Sequence, residues 1–292
     1  MEVIDPLGAR SRTLKQTRAV RLAWLAAACV DHVTDLPVTG GLRAMAWPAG
    51  NPSAAVAGAL TGSRIFAFGR LPGLPAVTPG GGSGAPLPPA PFVVQITDPQ
   101  GRFLPAAVSV QAPLTAPSPA FPWLAGDGTG QFTLFSSPGR SPDAGQAAVR
   151  GTLWDGSRQQ PAAHAVLRLV TPAGTWFGVA DGRGCVAVLF PFPTLSASAG
   201  LASGPPGLFA ARAVTISVQY GGAALPIPPG AVAPDLLAIL GQPQAQICDT
   251  APDEPAVSCQ RSVLYGQDLI LRSQCAGDQG YLFVTPRAPQ IH

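Results

Sequence analysis

The sequence predicts an all-β protein: two similar antiparallel β-sandwich units with long Gly/Pro loops and a C-terminal hairpin. Three observations lead there. Apolar runs rich in Val, Leu, Phe and Trp are short, four to seven residues, and are bounded by turn signals. Glycine and proline number 34 each in a chain of 292 residues, which suits many tight connections between strands. One order of features also occurs twice along the chain, and no stretch offers a long amphipathic helix with caps.

The first copy opens at RLAWLAAACVDHVTDLPVTGG, from Arg21. Arg12, Lys15, Arg18 and Arg21 precede an apolar run over 22–30, and LAAAC, ending at Cys29, resembles a lipoprotein cleavage site. Against a leader, the basic segment is long and contains Glu2 and Asp5, and Arg21 and Trp24 crowd the start of a run of only nine residues. A strand is the better reading, because the same place in the second copy is the apolar run 149–154. In each copy this strand ends at an acidic residue, Asp31 or Asp155, and six residues later comes a proline, Pro37 or Pro161, leaving room for a turn.

The elements that follow keep the same order. An alternating segment, 42–47 or 163–169, has the period of 2 that a half-buried strand requires. In the second copy this puts Ala165, Leu167 and Leu169 on one face and Val166 and Arg168 on the other. A second apolar run ending in prolines begins at Ile65 or Val186, and a third strand follows over 92–97 or 214–220. Trp47 and Trp154 are expected to fill the sandwich cores. Asp31, Asp35, Asp98, Asp155 and Asp181 all occupy turn positions, where an Asx side chain bonds its own backbone. The layout predicted is an N-terminal arm over 1–16, a first sandwich over 17–147, a second over 148–234, and a C-terminal region over 235–292. That last region holds a short helix near 234–240 and two strand-like runs, YGQDLILRS and GYLFVTP, which read as a hairpin completing the second sheet or packing across both units.

Composition limits the function. Hydrophobic residues make up 47% of the chain and charged residues only 11%, well under the ~25% of an average soluble domain. No apolar run approaches the ~20 residues needed to span a bilayer, so the apolar content points to cores or to burial against other subunits. A net charge of +3 with scattered arginines and a single lysine makes no polybasic patch and argues against nucleic acid. The five cysteines form no CxxC pair. Cys248 and Cys259 are placed to close a loop in an oxidising compartment, whereas reduced, mostly buried cysteines suit a cytoplasmic protein.

Motifs for chemistry are missing. The sequence holds no GxSxG elbow, HExxH, Walker loop or dinucleotide fingerprint, and GGGSG at Gly80 lies among prolines. His32, His164 and His292 have no partner close in sequence. The expectation is no catalytic residue, no cofactor and no metal. The low-complexity stretch 71–91 could not build a core, so it is read as an arm lying on a neighbour. The candidate interface residues are Leu74, Val77, Pro86, Leu87, Pro88, Phe121 and Trp123, with Trp123 equally suited to pinning its own loop.

The segment AVRGTLWDGSRQQPAAHAVLRLVTPAGTWFGVADGRGCVAVLFPFP resembles a carboxypeptidase-regulatory-like or transthyretin-like β-sandwich over 148–220, a module usually found as a non-catalytic accessory. With GRFLP at Gly101, LFSSPGR at Leu134, VLFPFP at Val188 and the YGQDLILRS tail, most of the chain is similar to a structural protein of phage-tail-like extracellular contractile injection systems. That resemblance implies a cap-adaptor role in a terminal ring, cytoplasmic assembly, and tube, sheath or cap proteins and further copies of itself as partners. The alternative is an exported lipoprotein or carbohydrate-binding sandwich with Cys29 as the lipidated residue.

Overall fold

The computed structural model describes residues 23–38, 40–75, 87–112, 131–192, 211–248, 255–264, 266–273 and 280–287. Nearly all the regular structure is strand, in four sheets that pack as two pairs. The first pair contains β1 (Leu25–Asp31), β2 (Arg43–Pro48), β3 (Val56–Ala57), β4 (Ala59–Leu60), β5 (Ile65–Phe68), β6 (Ala90–Thr97), β7 (Ala106–Ala112) and β8 (Gln131–Leu134). One sheet has the order β4-β5-β1-β8 and the other β3-β2-β6-β7. Strand alternation builds the core between them. Leu25, Ala27 and Cys29 of β1 and Phe66 and Phe68 of β5 meet Ala44 and Ala46 of β2 and Phe92, Val94 and Ile96 of β6.

The second pair contains β9 (Gln146–Asp155), β10 (Gln160–Pro161), β11 (Val166–Thr171), β12 (Gly174–Val179), β13 (Cys185–Pro191), β14 (Ala211–Gln219), the helix α1 (Leu236–Leu240), β15 (Gln246–Cys248), β16 (Cys259–Leu264), β17 (Leu269–Leu271) and β18 (Tyr281–Thr285). One sheet is built around β9, which pairs with β10, β13, β17 and β18, with β15 added beyond β18, and the other runs β12-β11-β14-β16. Val149 and Leu153 of β9 and Val186, Val188 and Phe190 of β13 face Leu167, Leu169, Val214, Ile216 and Val218. As the alternation requires, Leu167 and Leu169 lie in this core while Val166 points out of it and joins the core of the first sandwich.

The internal repeat is a repeat of topology. β1 is flanked by antiparallel β5 and, on its other side, by parallel β8; β9 is flanked by antiparallel β13 and by parallel β17 and β18. β2 pairs with β3 and β6, as β11 pairs with β12 and β14. The turns after β1 and β9 match residue for residue. Oδ1 of Asp31 accepts the Val33 N–H at 2.9 Å, and Oδ1 of Asp155 accepts the Ser157 N–H at 2.9 Å. Four residues past each aspartate the chain takes a left-handed φ of 54°, at Asp35 and at Gln159. Pro37 then bridges Val30, and Pro161 pairs with Trp154.

Three expectations need correction. Among the described residues the two C-terminal runs share one backbone bond, Ser273 N–H to the Tyr281 carbonyl, and form no hairpin ladder. Instead β17 and β18 lie one after the other along the free edge of β9, both parallel to it, which carries Leu271, Leu282 and Val284 into the second core. Trp47 and Trp154 are not core residues either. Ala44, Ala46 and Leu153 take the inward positions of their strands, so the neighbouring tryptophans face out by the period of 2. The helix spans Leu236–Leu240, with Asp235 as N-cap accepting the Leu237 N–H at 2.9 Å, one residue beyond Pro234.

Leu167 is fully buried between the sheets, so Leu167→Asp places an unpaired charge there. It is expected to cost about 3 kcal/mol or more in chemical denaturation. A midpoint equal to that of the wild type would remove Leu167 from the core.

Candidate functional site

The turn that follows β1 is where the two sandwiches join, and each of three consecutive residues does something different there. Asp31 is only 5% exposed and receives the guanidinium of Arg140 as a fork, 3.0 Å to Oδ1 and 2.6 Å to Oδ2. Arg140 sits in the connection between β8 and β9, so this pair ties the turn to the chain entering the second sandwich. His32 reaches the other way: its Nε2 accepts the Phe177 N–H of β12 at 2.8 Å. Its ring lies between those of Phe135 and Phe177, at centroid distances of 5.2 and 5.5 Å. Val33 inserts against Ala148, Ala187 and Leu189, on the outer face of the β9 sheet.

Apolar packing continues this seam. Val166 and Val179 of the second sandwich, and Leu236 and Ile239 of α1, belong to the same buried cluster as the core of the first. The edge strand β12 is thereby covered, the Phe177 N–H being bonded to His32. A Pro-rich strap before α1 binds the opposite side of the first sandwich. Trp47 donates its indole N–H to the Pro229 carbonyl at 2.9 Å, Gln95 accepts the Val232 N–H at 2.8 Å, and Asp235 accepts the Ser109 N–H at 2.8 Å. Gly230 has φ +81°, and a Cβ there would collide with Pro52, so this crossing requires glycine. The burial of Trp47 outside the core is explained by the strap lying on it.

Beside the Asp31 turn lies a cleft of about 620 Å³, lined by Asp31, Leu36, Arg102, Phe103, Arg140 and Asp143 among others. The guanidinium groups of Arg140 and Arg102 stand 4.7 and 5.4 Å from the Phe103 ring centroid. Each arginine is matched by a carboxylate. Arg102 pairs with Asp98 at 2.9 Å and also donates to the Gly40 carbonyl at 2.7 Å. Burial pushes the Asp98 carboxyl up, but the Arg102 guanidinium and the N–H groups of Gln100 and Arg102 outweigh it and hold it below the usual range. Among the described residues no group of three or more His, Cys, Asp or Glu is placed to hold a metal ion, and no nucleophile is paired with a base at this cleft. The arrangement is chemically suited to holding backbone and charge in place.

Of the sequence-selected interface residues, Leu74 closes a turn with Leu71 and packs on the first core, and its neighbour Pro75 accepts the Trp24 indole N–H at 2.7 Å. The near end of the Gly/Pro stretch is thus held by its own sandwich. Leu87 is half-buried and Pro88 exposed, while Val77, Pro86, Phe121 and Trp123 lie outside the described residues. Cys29 is fully buried at mid-strand, and burial pushes its thiol up to about 12. Sequence reading missed His32, Val33 and Arg140. Their only signal was the duplicated turn, whose second copy, with Gly156 and Ser157 after Asp155, carries no equivalent side chains.

Arg140→Met leaves the Asp31 carboxylate buried without its partner and is expected to lower stability by about 3 kcal/mol. The same change at exposed Arg183 should stay within about 0.5 kcal/mol. Denaturant midpoints of the two variants check this, and equal midpoints would reduce the Asp31–Arg140 pair to a surface contact.

No family model and no curated protein matches the chain. Among solved structures, 5-hydroxyisourate hydrolase of Klebsiella pneumoniae is similar over 49% of this chain and 99% of that one, at 14% identity and a TM-score of 0.22. The D295N shaft pilin SpaA of Lactobacillus rhamnosus GG is similar over 90% of this chain and 98% of that one, at 8% identity and a TM-score of 0.22. The TIE protein of Bacillus anthracis is similar over 82% of this chain and 44% of that one, at 8% identity and a TM-score of 0.23. At such scores the likenesses carry no functional argument; the assignment of β-sandwich units rests on the strand pairing of the chain itself.

Proposed function

We propose that this chain is a non-catalytic structural subunit of a multi-protein particle, in which the two sandwiches work as one block. The observation that supports this reading is the seam: a shared apolar cluster, the His32 and Val33 contacts, and a strap bonded to Trp47, Gln95 and Ser109. Two sandwiches sewn together on opposite sides resist relative motion, which suits a part that transmits position between neighbours. The specific form proposed, from the sequence resemblance, is an adaptor in a terminal ring of a contractile injection particle, assembled in the cytoplasm with tube, sheath or cap proteins and further copies of itself. The lipoprotein alternative fits the fold poorly. Cleavage before Cys29 would remove Leu25 to Ala28, the residues of β1 that pair with β5.

A second reading has its own observation. Trp154 and Tyr281 stack on the outer face of the β9 sheet, with centroids 4.9 Å apart and planes at 18°, and Phe283 meets Tyr281 edge-on. All three are half-buried, and such rings offer faces for stacking on a sugar. In this reading the protein is a carbohydrate-binding module, and Trp154→Ala abolishes binding to an oligosaccharide that the wild type retains. Calorimetric titration with a panel of oligosaccharides tests it; a wild type that takes up none of them removes the reading.

For the structural reading, the decisive change is in the Gly/Pro stretch. Replacing residues 77–88 by a short Gly/Ser bridge leaves the anchors at Leu71, Leu74 and Trp24 in place. A Pro-rich arm loses less entropy on docking than a Gly/Ser chain of equal length. The expected outcome is an unchanged circular dichroism spectrum and melting temperature, with loss of co-purification with the tail-like particle. Particles of normal appearance carrying the shortened protein would eliminate the arm as an assembly element, and a full-length protein that never joins a particle would sink the structural reading.

A further inference from the structure

We propose that His32 is a pH-sensitive latch between the two sandwiches: its neutral imidazole accepts the Phe177 N–H of β12, and protonation releases that edge. The geometry permits only one role for Nε2 in the joined state. It lies 2.8 Å from the Phe177 nitrogen, and that nitrogen is a donor, so Nε2 must present a lone pair. An imidazolium has a proton on both nitrogens and faces the same N–H with like polarity. The bond then turns from attractive to repulsive without any change of position.

The surroundings favour the neutral ring. Phe135 and Phe177 flank it, and the cavity of about 180 Å³ beside it is lined by Val30, Gln131, Thr133 and Leu240, none of them charged. Asp35 lies on the same cavity, and Asp31 precedes His32 in the chain, but the Asp31 charge is already taken up by Arg140. From the second sandwich, Arg168 of β11 is the cross-strand partner of Phe177 and is exposed to solvent. Burial therefore pulls the His32 pKa below the ordinary value of 6.5, against the opposing pull of Asp35 and Asp31. With the seam open the ring regains water and the ordinary value. Opening thus takes up a proton below pH 6.5, and the latch weakens as pH falls through that window, whereas above it the full contact is present. His164, in the second sandwich, is also lowered by burial, with Asp181 raising it, so global melting curves would mix the two histidines.

The amide of Phe177 separates them. Hydrogen exchange of the full chain is followed by NMR from pH 7.5 to pH 5, as protection factors relative to the amides of the central strand β11. In the wild type the Phe177 protection is expected to fall by up to about tenfold per pH unit below 6.5, the slope of one linked proton. His32→Gln, whose amide oxygen accepts at every pH, should remove the slope. His164→Asn, at a φ of 59° that asparagine tolerates, should keep it. A wild-type ratio that does not change with pH overturns the latch, even if His32→Gln fails to fold. So does a slope that survives in His32→Gln or disappears in His164→Asn.

Discussion

The arrangement of this molecule depends on the turn that ends β1. Asp31 faces inward at the last position of a core strand, where a carboxylate can persist only if every oxygen is matched. One oxygen is shared by the Val33 N–H and Arg140, and the other is held by Arg140 alone. That requirement fixes the turn, and the turn presents His32 and Val33 to the second sandwich at the positions their contacts demand. Arg140 comes from the connection that leads into β9, so the same ion pair also sets where the second sandwich begins. Arg150 adds to this, donating to the Pro138 and Arg140 carbonyls and to Asp268.

The second copy of the turn shows how one local solution serves two purposes. Asp155 is fully buried, and its oxygens take the Ser157 hydroxyl, the N–H groups of Ser157 and Arg158, and the Tyr220 hydroxyl. These partners are neutral or backbone groups of the same sandwich, so this turn closes its own domain. Burial and the nearby Asp155 charge push the Tyr220 hydroxyl up, so it stays a donor through the neutral range. In the first copy the donor is an arginine from the connection between the two sandwiches. The backbone is the same, and the choice of donor decides whether the turn is a lid or a joint.

Burial outside the two cores follows from the joint. The outer face of the β9 sheet is covered by Val33 at Ala148, Ala187 and Leu189, and at the other end bears the aromatic group of Trp154, Tyr281 and Phe283. The outer face of the β6 sheet is covered by the strap over Trp47 and Val93, both nearly fully buried. Few charges are needed on faces occupied in this way, which accounts for part of the low charged content of the chain. Ile227 and Val232, on the strap itself, are left exposed.

The sequence by itself determined the class of fold, the repeat, and the inward faces of the strands. Those properties are local: period 2 fixes which side of a strand is apolar, and an Asx turn needs only its own backbone. It also made Leu167 and Val166 legible as opposite-facing residues. Tertiary structure alone decided where outward-facing residues went: alternation says that Val166 leaves its core but not what receives it, and the size and apolar character of Trp47 and Trp154 pointed to cores from which the smaller neighbours Ala46 and Leu153 exclude them. It decided as well that β17 and β18 follow β9 in series, since strand order depends on which edge is vacant once the other strands are placed. His32 and Arg140 were illegible for the same reason: their partners are 145 and 109 residues away, and an imidazole or guanidinium acquires its role from the group it faces.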